Sequence, residues 1–160
     1  YSVTGVQTCA LPILFRFNFR HEKNQKILYL HGGYNTLQPS PFHWRLLDKL
    51  TLNTLHEVVL PIYPKSPDYH YLETFKAIRD VYNQLVEEVG ADNIVMMGDG
   101  SGGGLALSFV QSLINDNQEV PRKLFLLSPL LDATLTNPNI TKTLEENDIL
   151  VSRFGVHQLM

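Results

Sequence analysis

Residues Asn93–Leu107 read NIVMMGDGSGGGLAL. Asn93–Met97 is a short apolar run, the pattern of a buried strand, and Gly102–Ile114 has helical spacing. Between the two lie Gly98, Asp99, Gly100 and Ser101, with Gly103 and Gly104 just beyond. A strand that turns straight into a helix through so much glycine is a tight turn, where backbone must approach its neighbours with no side chain between. A serine on such a strained turn, flanked by small residues, has the form of a nucleophile elbow. Ser101 is then the candidate nucleophile. The N–H after it, Gly102, lies at the helix N-terminus and is a candidate donor to a developing oxyanion.

The same glycines also match a competing pattern. Gly98, Gly100 and Gly103 satisfy G-x-G-x-x-G after a strand and before a helix, the dinucleotide fingerprint. That reading needs an acid about 20 residues on, at the end of the next strand. Asp116 and Glu119 come before that strand and Asp132 after it. Two strand–helix units also precede the motif. Dinucleotide binding is the weaker reading, and a phosphate-binding Walker loop fails because no Gly-Lys-Ser/Thr follows.

Outward from the elbow, apolar strands alternate with helices. Phe15, Phe17 and Phe19 alternate with Arg16, Asn18 and Arg20, as in a half-exposed strand, and His21–Gln25 is a polar turn. Lys26–Leu30 (KILYL) is a buried strand ending at His31-Gly32-Gly33-Tyr34. Ser40-Pro41 offers an N-cap followed by proline at the first helical position. Glu57–Tyr63 is a further strand, Tyr71–Val89 a helix closed by Gly90, Lys123–Leu127 a strand, and Leu144–Met160 a helix. Wholly apolar strands alternating with helices give an α/β class, a mostly parallel sheet with helices on both faces in a three-layer sandwich. No repeat or linker divides the chain.

The 160 residues carry 13 Lys+Arg against 16 Asp+Glu, a net charge of −3. No basic surplus exists to neutralise phosphates, so a nucleic-acid partner is not expected. No apolar run approaches the ~18–20 residues of a membrane span. No His, Cys or acidic cluster has metal-ligand spacing, and neither a metal nor a cofactor is expected. Val3–Ile13 (VTGVQTCALPI) resembles a translated sequencing-library adapter, so residues 1–13 are set aside as an artefactual leader. This removes Cys9, the one cysteine, and leaves a composition compatible with a cytoplasmic location.

Taken in chain order, HGGY (His31–Tyr34), PIYPKSP (Pro61–Pro67), GDGSGGGLAL (Gly98–Leu107) and LLSPLLDATLTNP (Leu126–Pro138) resemble the hormone-sensitive-lipase-like branch of α/β-hydrolase esterases. The resemblance implies hydrolysis of small carboxylic esters by a Ser-Asp-His triad on a mostly parallel sheet. It implies that Gly33 and Tyr34 supply oxyanion N–H groups, joined by Gly102. His31 and Gly32 then shape that loop, while Asp99 and Gly103 shape the elbow, and His31 is not the catalytic base. His43, Trp44 and Tyr69 could line an acyl pocket, although packing is the commoner role for a residue such as Trp44.

Two departures from the family stand out. Its elbow usually reads GDSAGG, and this chain reads GDGSGG. Without a gap, Gly100 falls on the nucleophile position and Ser101 on the next residue. Leu105 supports that register. The other register makes Ser101 the nucleophile and puts Asp99 where a small residue is usual. In this fold the acid and then the histidine follow the serine. Asp148 and His157 stand nine residues apart in one expected helix, which does not bring them together. Residues 14–160 are therefore expected to form the N-terminal part of one α/β-hydrolase domain that ends before its triad acid and histidine. The 160-residue chain itself is then expected to be inactive. The alternative is a non-catalytic remnant or binding protein of the same fold.

Overall fold

The computed structural model describes residues 2–3, 12–18, 25–134, 136 and 138. The expected 144–160 helix, with Asp148 and His157, lies outside the described residues, as do Phe19 and most of the polar turn after it.

Among the described residues six strands form one sheet: β1 (Ser2–Val3), β2 (Ile13–Phe17), β3 (Lys26–Leu30), β4 (Glu57–Ile62), β5 (Ile94–Asp99) and β6 (Lys123–Leu127), in the order β1-β2-β4-β3-β5-β6. Strands β4, β3, β5 and β6 run parallel to one another, while β2 pairs antiparallel with both β4 and the edge strand β1. The sheet is thus mostly parallel, as its apolar strands require.

Helix α1 (Pro41–Thr54) starts on the Ser40-Pro41 signal and stops at Leu55, whose left-handed backbone lets its N–H reach the Thr51 carbonyl. Helix α2 (Tyr71–Val89) buries Thr74, Ala77, Ile78, Val81, Tyr82, Leu85 and Val89, a single stripe at three- and four-residue steps. It ends at Gly90, at φ +82°. Helix α3 (Gly100–Asn115) follows β5 with no intervening loop. One core joins α2 and α3 to Leu28, Leu30, Val59, Ile94 and Met96; the other joins α1 to Ile27, Tyr29, Val58 and Leu60 on the opposite face. Successive strand residues therefore feed alternate cores, the period-two consequence of a sheet covered on both sides.

Four charges are gathered at the start of the parallel strands. Arg16 and Lys26 each bond Glu57, at 2.9 and 2.8 Å, and each bonds Glu88, at 2.6 Å. The side chains of Arg16, Lys26 and Glu57 are each only 4% exposed. Two cations and two carboxylates neutralise one another, the condition under which buried charge is tolerated. Among the described residues, no helix is long and apolar enough to cross a membrane.

Candidate active site

Parallel strands carry their loops to the C-terminal edge of the sheet, and there the ends of β3 and β5 lie side by side, with Leu30 opposite Gly98. The loop after β3, His31–Leu37, therefore faces the turn from β5 into α3.

That turn is shaped by what its glycines cannot carry. A Cβ on Gly98 would come 2.6 Å from the Gly102 carbonyl oxygen, and one on Gly102 would come 2.2 Å from that of Leu30 and 2.4 Å from that of His31. Midway between them, Gly100 has φ +50°, in the left-handed region that favours glycine. A Cβ there would meet only Gly32 Cα, at 3.9 Å. Gly100 thus stands at the vertex of the turn, beside the opposing loop. Its carbonyl accepts the Leu130 N–H at 2.8 Å. Ser101 is the next residue, already in α3 and buried, and its Oγ accepts the Asn35 N–H at 3.3 Å. Gly103 packs on Pro129.

The opposing loop holds three consecutive positive φ values, Gly33 at 125°, Tyr34 at 55° and Asn35 at 58°. Side chains rarely adopt this conformation, and such strain persists only where surrounding structure holds it. Here the Gly33 carbonyl accepts the N–H groups of Thr36 and Leu37, at 3.0 and 2.9 Å, and the Thr36 hydroxyl. These three bonds pin the turn.

Loop and elbow are bonded through Asp99. Its Oδ1 accepts the Gly32 N–H at 2.9 Å and the Tyr29 hydroxyl at 2.8 Å, and its Oδ2 faces His43 Nε2 at 3.1 Å. Burial and the adjacent Asp99 charge push the Tyr29 hydroxyl well above the usual phenol range, so it stays a donor. Beneath the loop, His31 is buried and stacks on Tyr63, with ring centroids 4.9 Å apart, and the Tyr63 hydroxyl donates to the His31 carbonyl. His31 Nδ1 lies 2.7 Å from the Gly32 carbonyl, so it carries the proton and donates. Its Nε2 is buried with no hydrogen-bond partner among the described residues. Burial pushes the imidazole down to about 4. It is a floor for the loop rather than an accessible base. Lys65 is also buried, bonded to Gln38 Oε1 and the Tyr63 carbonyl, and burial lowers it to about 8.

Ser101, Gly102, Gly103, Asp99, Gly32, Gly33, Tyr34 and His31 thus come from two separate sequence motifs and share one edge of the sheet. Of the three pocket candidates, Trp44 packs edge-on against Phe15 with centroids 4.9 Å apart, Tyr69 is exposed, and His43 binds Asp99. The His43 and Tyr29 links to Asp99 were not legible in the sequence; an aspartate next to a turn vertex hints that it is held, but not by what. No group of His, Cys, Asp and Glu that could hold a metal ion occurs among the described residues.

The sequence profile of the alpha/beta hydrolase fold family matches residues 27–160. An esterase of Acinetobacter venetianus is 34% identical over 129 residues, which is 80% of this chain and 42% of the relative. A triacylglycerol lipase of Mycobacterium tuberculosis is 32% identical over 113 residues, 70% of this chain and 26% of that protein. The crystal structure of a proposed esterase from Staphylococcus aureus superimposes with a TM-score of 0.91 at 60% identity, covering 99% of this chain and 54% of that one. The chain thus spans less than half the length of these two curated relatives and about half of the crystallised one.

Proposed function

The chain belongs to the alpha/beta hydrolase fold family, and from that premise we propose that it carries the nucleophile-and-oxyanion half of a carboxylic-ester hydrolase acting on small acyl esters. The observation that carries this reading is the bonded apposition of two motifs 67 residues apart: Gly32 N–H on Asp99, with Asn35 N–H on Ser101 Oγ beside it. The Ser101 hydroxyl attacks the ester carbonyl carbon. The carbonyl oxygen takes the charge, and the N–H groups of Gly33, Tyr34 and Gly102 receive it. Collapse breaks the bond to the alkoxide, which takes up the proton given up by Ser101 and departs as the alcohol, and an acyl-serine remains for water to hydrolyse. Among the described residues no histidine is hydrogen-bonded to Ser101, whose Oγ accepts from Asn35. The proposed partner is a small-molecule ester.

A second reading, a non-catalytic member of the family, is favoured by Gly100 at the vertex, where a nucleophile would stand. Both are tested by hydrolysis of short-chain p-nitrophenyl esters, with fluorophosphonate labelling, in the protein expressed from its native gene. With Ser101 as nucleophile, wild type turns over and Ser101→Ala loses about 10⁶-fold in rate. Inert wild type, with turnover gained in the double variant Gly100→Ser/Ser101→Ala, refutes Ser101 and supports the second reading. Equal turnover in wild type and Ser101→Ala refutes the role of Ser101 outright.

A further inference from the structure

We propose that His43, at the start of α1, is a positioning residue: through Asp99 it holds the His31–Leu37 loop at its working distance from the elbow. The inference rests on the ester-hydrolase reading for what the loop is for, but not for the linkage itself.

The tautomer can be read from the donors. The Ser40 N–H, which can only donate, lies 2.9 Å from His43 Nδ1, and the Ser40 hydroxyl lies 2.8 Å from the same atom. Nδ1 must therefore offer its lone pair, and in the neutral ring the proton sits on Nε2. That proton points at Asp99 Oδ2, 3.1 Å away. The imidazole is thus a fixed donor, oriented from behind by the α1 N-terminus, in the way a carboxylate-bonded histidine is usually held by the bond on its other nitrogen.

Asp99 then gathers three donors from three elements: Tyr29 from β3, Gly32 from the loop and His43 from α1. Tyr29 and Gly32 hold Oδ1 and His43 holds Oδ2, so both ends of the carboxylate are tied and its rotation about the Cβ–Cγ bond is blocked; without His43 only Oδ1 would be held. The loop has no slack on this side. A Cβ on Gly32 would come 2.5 Å from Oδ2 and 2.9 Å from the Asp99 carbonyl oxygen. Gly32 therefore rests directly on the carboxylate that it bonds, one residue before Gly33 and two before Tyr34. The ring of His31, the first residue of that loop, lies edge-on to that of His43, with centroids 5.8 Å apart.

The test compares wild type with His43→Leu and His43→Gln. Hydrogen exchange at the Gly32 amide should quicken at least tenfold in His43→Leu while β4 amides keep their protection. His43→Gln, whose side-chain amide can donate, should restore much of it. In the native-gene protein kcat should fall with little change in KM. A wild-type imidazole spectrum should show the proton on Nε2. Unchanged Gly32 exchange in a folded His43→Leu, or a neutral ring protonated on Nδ1, overturns the proposal; the second result also decides if His43→Leu fails to fold. Absence of turnover in every protein would count against the hydrolase reading alone, because the exchange and tautomer measurements need no activity.

Discussion

Replacing Glu57 with glutamine tests whether the buried charge cluster is held by neutralisation. The substitution keeps the size of the side chain and removes one negative charge. Glu57 receives Arg16 on one oxygen and Lys26 on the other. A glutamine can accept on one atom only, and its NH₂ group would then face a cation. Burial pushes the Glu88 carboxyl up, but hydrogen bonds from Arg16 and Lys26 outweigh it and hold the group at about 2, so Glu88 is already fully ionised at neutral pH. It has no further charge to give. One positive charge is left uncompensated among side chains that are 4% exposed. Breaking a buried pair in this way costs about 3–5 kcal/mol. At a urea dependence of ~2 kcal/mol per molar, the unfolding midpoint should fall by roughly 1.5–2.5 M. The paired variant Glu57→Gln/Lys26→Met removes an anion and a cation together and keeps Arg16 on Glu88, so it should regain most of that loss. Equilibrium urea unfolding followed by far-UV circular dichroism gives both numbers. A Glu57→Gln midpoint within about 0.5 M of wild type would refute the reasoning, as would a paired variant no more stable than the single one.

The elbow makes a prediction by contrast. Gly102→Ala drives a Cβ into two backbone carbonyls that cannot move aside, and should cost more than ~3 kcal/mol or abolish folding. Gly100→Ala has space and bears only left-handed strain of about 1–2 kcal/mol, a loss of roughly 2–8 °C in Tm for a chain of this size; the reverse order in thermal melts would sink the account of the turn. His31 should make the fold sensitive to mild acid. Burial lowers the imidazole from 6.5 to about 4, so the unfolded chain binds the extra proton between those values. The stability it contributes is complete above pH 6.5 and is lost as pH falls toward 4, by about 2 kcal/mol between pH 7.5 and 5. Urea midpoints at the two pH values, in wild type and in His31→Phe, check this; equal pH dependence in the two proteins would contradict it.

Most of the fold was legible in the chain. Lys26–Leu30, Tyr71–Val89 and Lys123–Leu127 have the expected limits, because apolar periodicity and strong stop signals at His31-Gly32, Gly90 and Ser128-Pro129 coincide. The elbow limits were less legible. The strand was expected to end at Met97 and runs to Asp99, and the helix was expected at Gly102 and begins at Gly100. Glycine removes the side-chain signal on which boundaries depend, so the chain passes from one period to the other where neither can be read. The antiparallel direction of β2 was not legible either, since alternation in Phe15 and Phe17 fixes a face and not a partner. The links among Tyr29, Gly32, His43 and Asp99 span up to 70 residues and arise only when β3, β5 and α1 converge.

The glycines, more than the serine, locate the vertex of the turn. What an elbow requires physically is that the residues two before and two after its vertex carry no Cβ, because strand and helix meet there. Gly98 and Gly102 meet that requirement as a pair, with carbonyls at 2.6 and 2.2 Å from where a Cβ would be. The residue between them is Gly100, which also takes the positive φ. For a vertex at Ser101 the corresponding pair would be Asp99 and Gly103, and Asp99 has a side chain fully engaged with Tyr29, Gly32 and His43. A loop shift that brought Ser101 to the vertex would have to break those three bonds and move Gly102 off the end of β3. The Ser101 hydroxyl therefore sits in the first turn of α3, one residue past the vertex and against Asn35. The double variant Gly100→Ser/Ser101→Ala separates this arrangement from one in which the vertex itself must carry the hydroxyl.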